Sequence, residues 1–300
     1  MTHHTHMQLL FTVEPFHGTH CHRQWFYKLI KLPIGTTFFI ELQIENFPST
    51  VYAVTALHII RGAYGFGKIY IRLNQIDGTT QDYPIDVDDW YENQTTDVAV
   101  MPFTIPDSVE FKVIPSTMLV SSDVPHWLGF GIAEGDEVFY VGMFAGHTGE
   151  KRNLPIIRFG NISLMPHEKV LIKRDPHTDN LYPVDAYLVE CRSRSGLSGS
   201  PVFVYFPATR EQGKVINYHY DDIPLLGLVH GHYKTDIQDQ ITTTNDDLDT
   251  VLVNSGISIV IPAQDILNTL MQKEVMKDRE KKVEQIKERI KKIKTQDLDE

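Results

Sequence analysis

The stretch that decides the reading is Ser195-Gly196-Leu197-Ser198-Gly199-Ser200-Pro201-Val202-Phe203, SGLSGSPVF, between the apolar runs AYLVE (186–190) and VFVYF (202–206). A serine between two glycines suggests a tight turn that presents a hydroxyl and nearby amides, because glycine accepts φ > 0 and leaves room for close approach. Alone the motif is weak, since Ser and Gly fill most loops between strands. Its meaning depends on whether the rest of the chain supplies a base and a carboxylate.

Working outward from it, the body reads as β throughout. Short β-branched and aromatic runs are punctuated by Gly, Pro, Asn and Asp: QWFYKLI (24–30), GTTFFIELQI (35–44), STVYAVTAL (49–57), GKIYIRL (67–73) and VAVMPF (98–103). Strand signals thin between about 104 and 133. They resume with DEVFYVGMF (136–144), IIRFGNISLM (156–165), KVLIKR (169–174), PLLGLVHGHY (224–233) and SGISIVIPA (255–263). This pattern predicts two all-β halves, about 25–115 and 130–262. The glycines of GAYGFG (62–67) lead into a strand, so they read as turn glycines and not as a phosphate loop. The acidic, Thr/Asn-rich segment 233–254 reads as a solvated surface loop.

The ends differ from the body. Residues 1–24 are His-rich, with six of the fourteen histidines in the first 22 residues and His17, His20, Cys21 and His22 in one cluster. That spacing completes no four-ligand pattern, so a solvated terminus is preferred to a metal site and no metal is expected. From Ala263 onward the chain carries no Gly or Pro and is rich in helix formers, predicting a charged C-terminal helix within 263–300. Met276, Val283, Ile286, Ile290 and Ile293 form its apolar stripe. Packing of the first turns on the body is preferred, with a short coiled coil or partner contact as the second reading. Residues 272–294 hold ten Lys/Arg against five Asp/Glu, a basic helix on an acidic body.

Composition narrows the function classes. A formal net charge of −11 argues against general nucleic-acid binding. Two cysteines make no disulfide framework. No run reaches the roughly 18 apolar residues of a membrane span, and the first residues lack a basic n-region, so a soluble cytoplasmic protein without membrane contact is expected.

Two further polar residues stand at strand–loop junctions: His58, at the end of VYAVTALHII (51–60), and Asp97, opening DVAVMPF (97–103). Each has a bland reading as a satisfied histidine or a turn aspartate. Together with Ser198 they supply what acyl transfer by serine needs: a nucleophile, a base, and a group that fixes the base's tautomer.

With these residues the chain resembles the trypsin-like, chymotrypsin-fold serine peptidases of the disulfide-poor bacterial kind, similar to the HtrA/DegP protease domain. GTTFFIE resembles the family's GTGFFI, VTALHI its VTAAHV, TDVAVMPF its DLAVL, and SGLSGSPVF its GNSGGPVF. The likeness runs from about residue 30 to 265. It implies two six-stranded antiparallel β-barrels with the site between them. Within it His58 is the base, Asp97 the orienting carboxylate and Ser198 the nucleophile, with the Gly196 and Ser198 N–H groups as oxyanion hole and no cofactor. It puts the substrate pocket near Arg192, Ser193, His230, Gly231 and His232; Arg192, Ser193 and His230 together favour acidic or small uncharged P1 residues, with an Arg192 that points to solvent as the other reading. Leu197 stands where digestive members carry an aspartate that pairs with a freed N-terminus, so that activation route is not expected. No PDZ-like domain is expected after the β body, where a helix is read instead. The expected partner is a protein or peptide substrate, with an activating partner or self-association through the C-terminal helix as further contacts. The alternative function is a pseudoprotease that uses the same body as a binding module; an esterase-like hydrolase using the same triad on small acyl substrates is a third.

Overall fold

The computed structural model describes residues 10–14, 32–44, 48–64, 68–123, 131–149, 151–191, 196–206, 223–236 and 252–296. The first half holds β1 (Leu10–Glu14), β2 (Leu32–Thr36), β3 (Phe38–Leu42), β4 (Thr50–Thr55), α1 (Leu57–Ala63), β5 (Lys68–Asn74), β6 (Thr80–Ile85), β7 (Tyr91–Glu92), β8 (Ala99–Pro102) and β9 (Ile114–Pro115). The second holds β10 (Glu137–Gly142), β11 (Ile156–Leu164), β12 (Lys169–Ile172), β13 (Tyr182–Asp185), β14 (Tyr187–Glu190), β15 (Pro201–Tyr205), β16 (Leu225–Asp236) and β17 (Leu252–Pro262). Two helices follow, α2 (Ala263–Leu270) and α3 (Lys273–Gln296).

The second half closes into a six-stranded barrel in the order β10-β11-β14-β17-β16-β15. Period-two alternation explains why it closes on an apolar interior. On β10, Val138 and Tyr140 are buried inside with Val202 and Val204 of β15. Phe139, on the opposite face, stacks on Phe203 with ring centroids 5.2 Å apart.

The strands of the first half form a four-stranded sheet, β2-β1-β5-β6, and a five-stranded sheet, β7-β8-β4-β3-β9. Only Thr37 separates β2 from β3, so the chain passes directly from one sheet to the other. Phe38, Ile40, Val54, Ile71, Leu73 and Val100 then share one core. The whole is mostly β with C-terminal helices, consistent with the expected chymotrypsin-like double barrel.

Three details differ from expectation. The His-rich segment contributes a strand, because β1 pairs with both β2 and β5; QWFYKLI and the cluster His17, His20, Cys21 and His22 lie outside the described residues. The supposed loop 233–254 is in part a ribbon, since β16 and β17 pair out to Asp236 and Leu252. The C-terminal helix is two helices. No Gly or Pro marks the turn at Met271 and Gln272, and it is set by packing: the Gln272 side chain donates to the Glu92 carbonyl at 3.4 Å. Ala263, Ile266, Leu267 and Leu270 of α2 join the first core, and Val275 and Val283 of α3 are buried.

The halves are latched to each other by reciprocal amides. Asn153 N donates to Asn74 Oδ1 at 2.7 Å, Asn74 Nδ2 to the Asn153 carbonyl at 3.2 Å, and Asn153 Nδ2 to the Arg72 carbonyl at 2.7 Å. This latch fixes the loop after β10, which reaches the serine motif.

Asp265 sits on α2 with its carboxyl pushed up to about 6, chiefly by burial and then by the nearby Asp185 charge. A folded-state value above the unfolded one, about 3.9, means stability falls as pH rises from about 4 through 6. Asp265→Asn should therefore flatten that part of the profile and be more stable than the wild type at pH 7, as read by denaturant unfolding across pH.

Candidate active site

Asp97 is the centre of the site and is fully buried. An unpaired carboxylate in that position is strongly disfavoured, so it must collect donors. It has three. His58 N donates to Oδ1 at 2.8 Å, His58 Nδ1 lies 2.8 Å from Oδ2, and His230 Nδ1 lies 2.5 Å from the same Oδ2. Burial works to push the carboxyl up, but the two imidazoles, His58 first, outweigh it and hold Asp97 well below the ordinary carboxylate range.

Local sequence fixes these partners. Strand β4 hands over at Ala56 to α1, whose second residue is His58, and Leu57 N donates to the Asp97 carbonyl at 3.3 Å. Leu57 itself is buried in the first core, so its bulk stays out of the site. The turn before Asp97 is wound around Asn93, whose Oδ1 accepts from Thr95 N, Thr95 Oγ1 and Thr96 N at 2.8–3.0 Å. Asn93 Nδ2 donates in turn to Thr269 Oγ1 of α2 at 2.8 Å, and Arg174 Nη1 donates to the Gln94 carbonyl at 2.8 Å. Helix α2 and the segment between β12 and β13 thus brace the Asp97 turn from outside.

Ser198 is tied to both halves through its backbone and that of its neighbour. Thr36 N donates to the Ser198 carbonyl at 2.8 Å, and Gly199 N donates to the Val229 carbonyl, one residue before His230, at 2.7 Å. A Cβ built on Gly199 would stand 2.1 Å from the Thr36 carbonyl oxygen and 3.2 Å from Ile59 Cδ1, one residue after His58. Gly199 has φ +81°, so the motif's second glycine is required twice over. With Nδ1–H of His58 donating to Asp97, Nε2 keeps its lone pair and is the available base. Among the described residues no hydrogen bond to Ser198 Oγ is present. Such bonds are often long before substrate binds.

The turn at Gly196 is held from the first half. Thr36 Oγ1 donates to the Gly196 carbonyl at 2.7 Å and accepts from Met143 N at 3.0 Å, with Thr36 buried. Gly196 has φ +97°, and a Cβ there would meet Ala145 N and the Met143 carbonyl oxygen at 2.7 Å. Leu197 is fully buried in the second core. Ser200, also fully buried, fits because the residue opposite is Gly142: a Cβ there would lie 1.9 Å from Ser200 Oγ.

The sequence-derived residues fall into three sets. His58 and Asp97 are in contact, and Ser198 stands in the turn whose next residue, Gly199, bonds to the Val229 carbonyl beside His230. His230, assigned from sequence to the pocket wall, has its ring nitrogen on Asp97, with its ring 4.9 Å from that of His58 at 71°. Gly231 and His232 follow on β16, and a Cβ on Gly231 would meet open space. Arg192 and Ser193 lie outside the described residues. Thr36 and Asn93 were missed. The signals that could have found them are the polar pair Thr36-Thr37 inside an apolar strand and the Asx-turn pattern ENQTT (92–96).

His58, Asp97 and His230 also form a metal-like cluster, their nearest ligating atoms all within 4.8 Å of one another. A tetrahedral ion at about 2.0–2.1 Å from each ligand would hold those ligands roughly 3.3 Å apart. The 2.5 and 2.8 Å separations are those of hydrogen bonds.

Comparisons with known proteins give structural likeness only. No family model matches the chain, and no curated protein matches it in sequence. Among solved structures it is similar to the Rv3671c protease of M. tuberculosis. Against the active form the TM-score is 0.45 at 14% identity, covering 89% of this chain and 80% of that one. Against the inactive form the TM-score is 0.40 at 14% identity, covering 87% and 86%. At that overlap and identity no residue role is carried across.

Replacing Thr36 by valine keeps its shape but strands the Met143 N–H and the Gly196 carbonyl. Thr36→Val should lose about 1–3 kcal/mol of unfolding free energy in denaturant titration, whereas Thr36→Ser should retain most of it.

Proposed function

We propose that the chain is a serine endopeptidase with Ser198 as nucleophile, His58 as general base and Asp97 as the carboxylate that orients it. The observation that carries this reading is the 2.8 Å contact of His58 Nδ1 with a fully buried, ionised Asp97 beside the Ser198 turn. In this reading Nε2 takes the proton of Ser198 Oγ as the oxygen attacks a peptide carbonyl. The imidazolium that forms is stabilised by the Asp97 charge, and then returns the proton to the leaving amine. The oxyanion that develops in between is received by the N–H groups of Gly196 and Ser198. Losing one such donor typically costs about 3 kcal/mol of barrier stabilisation. No cofactor enters, and the substrate is a protein or peptide.

The proposed substrate pocket borders β16 beside Gly231 and His232. With His230 engaged on Asp97, the preference for acidic or small uncharged P1 residues rests on Arg192 and Ser193 alone. A cytoplasmic setting and an activating partner remain part of the proposal. The absence of a membrane-crossing helix supports only that no described helix is long and apolar enough to span.

A second reading, a binding module without turnover, draws on the lack of a hydrogen bond at Ser198 Oγ among the described residues. A fluorophosphonate probe separates the two. The wild-type chain should gain one adduct by mass and Ser198→Ala none. A folded wild type that stays unlabelled, alone and with a candidate partner, would overturn the peptidase reading.

His230 shares the Asp97 oxygen that His58 uses, so it draws on the same charge. His230→Leu leaves that charge to His58 alone. The labelling rate should then change while the fold is kept, and an unchanged rate would reduce His230 to a packing role.

A further inference from the structure

Away from Ser198, helix α3 borders a groove against the first half, where residues 48–52 and 102–105 lie side by side. It encloses about 390 Å³ and is lined mainly by apolar groups, among them Phe103, Phe111 and Val283. Arg279 of α3 also lines it, yet only 2% of this residue is exposed. Its guanidinium stands over the Tyr52 ring at 5.3 Å. Nε and Nη2 donate to Tyr52 Oη at 3.1 and 3.0 Å, and Nη2 reaches the Leu270 carbonyl at 3.4 Å. Nη1 is closed off from water and has no hydrogen-bond partner among the described residues.

Among the described residues, every oxygen that Arg279 touches is neutral. The acid next to it in the lining, Asp278, pairs with Lys282 at 3.0 Å. A buried cation without a counter-charge is poorly compensated, and replacing such a group by an apolar one of similar size often stabilises a protein. Its presence fits a site whose missing partner is a ligand carboxylate, since stability is commonly given up where a chain binds something.

We propose that this groove binds an acidic peptide segment. An Asp or Glu side chain pairs with Arg279 Nη1, and a neighbouring apolar side chain packs on Phe103, Phe111 and Val283. Charge complementarity selects the acid. Because Nη1 is covered by the groove's own lining, the carboxylate reaches it as the side chains around it give way. The site is independent of the Ser198 chemistry.

The test uses the full chain carrying Ser198→Ala, so that peptide cannot be cut. The probe is a fluorescent peptide with leucine between two aspartates, and its twin has asparagines in their place. In an anisotropy titration the acidic peptide should bind at least tenfold more tightly than the twin. Arg279→Met should weaken it at least tenfold while the melting temperature is unchanged or higher. Phe111→Glu changes an exposed rim residue and should weaken binding of the acidic peptide likewise, without depending on the fate of Arg279. Absent binding, equal binding of the twins, or unchanged binding to the Phe111→Glu chain would overturn the proposal. So would a lowered melting temperature of Arg279→Met with binding retained, which would make Arg279 a structural residue only.

Discussion

The structure depends on keeping one carboxylate charged where water does not reach. Asp97 has no exposed surface, so its charge is tolerable only through donors brought to it by the fold. Two of those donors come from His58 at the start of α1 and one from His230 on β16. The charge therefore ties the first half of the chain to the barrel of the second. The Asn93 turn, Thr269 of α2 and Arg174 form an outer ring that keeps the carboxylate aimed. Hydrogen-bonded turns of this kind hold geometry more firmly than apolar contact does, because a buried polar group without its partner is costly.

Much of this was legible in the sequence, and the limits are physical. Alternation along DEVFYVGMF and SPVFVYF marks strands because one face of each must be apolar. The site residues His58, Asp97 and Ser198 stand out because polar groups interrupt those runs where strands end. What stayed hidden depends on contacts between distant segments. His230 lies 133 residues from Asp97, and no local pattern distinguishes a pocket histidine from one that shares the carboxylate. Thr36 looks like one more β-branched residue until the fold sets Gly196 and Met143 against it.

The helical end shows the same limit from the other side. Helix propensity and the apolar stripe gave helix, and helix is present. The turn at Met271 and the burial of Arg279 were not written locally. They come from the surface of the first half onto which the helices fold, and such tertiary context routinely overrides propensity. The expected stripe starts at Met276, whereas the buried positions are Val275, Arg279 and Val283, four residues apart along one face, and the arginine among them meets Tyr52 and the Leu270 carbonyl.

Leu197 carries a consequence for how the serine turn responds to its surroundings. Its side chain is anchored in the apolar interior of the second barrel and not by an ion pair. Burial of that kind is insensitive to ionic strength and to proton concentration. Its strength follows temperature, weakening on cooling as the entropy of hydration shrinks. Together with the neutral grip of Thr36, this makes order in the Gly196 turn a matter of packing. Acidity reaches the site through the Asp97 cluster instead, so the two parts of the candidate site answer to different variables.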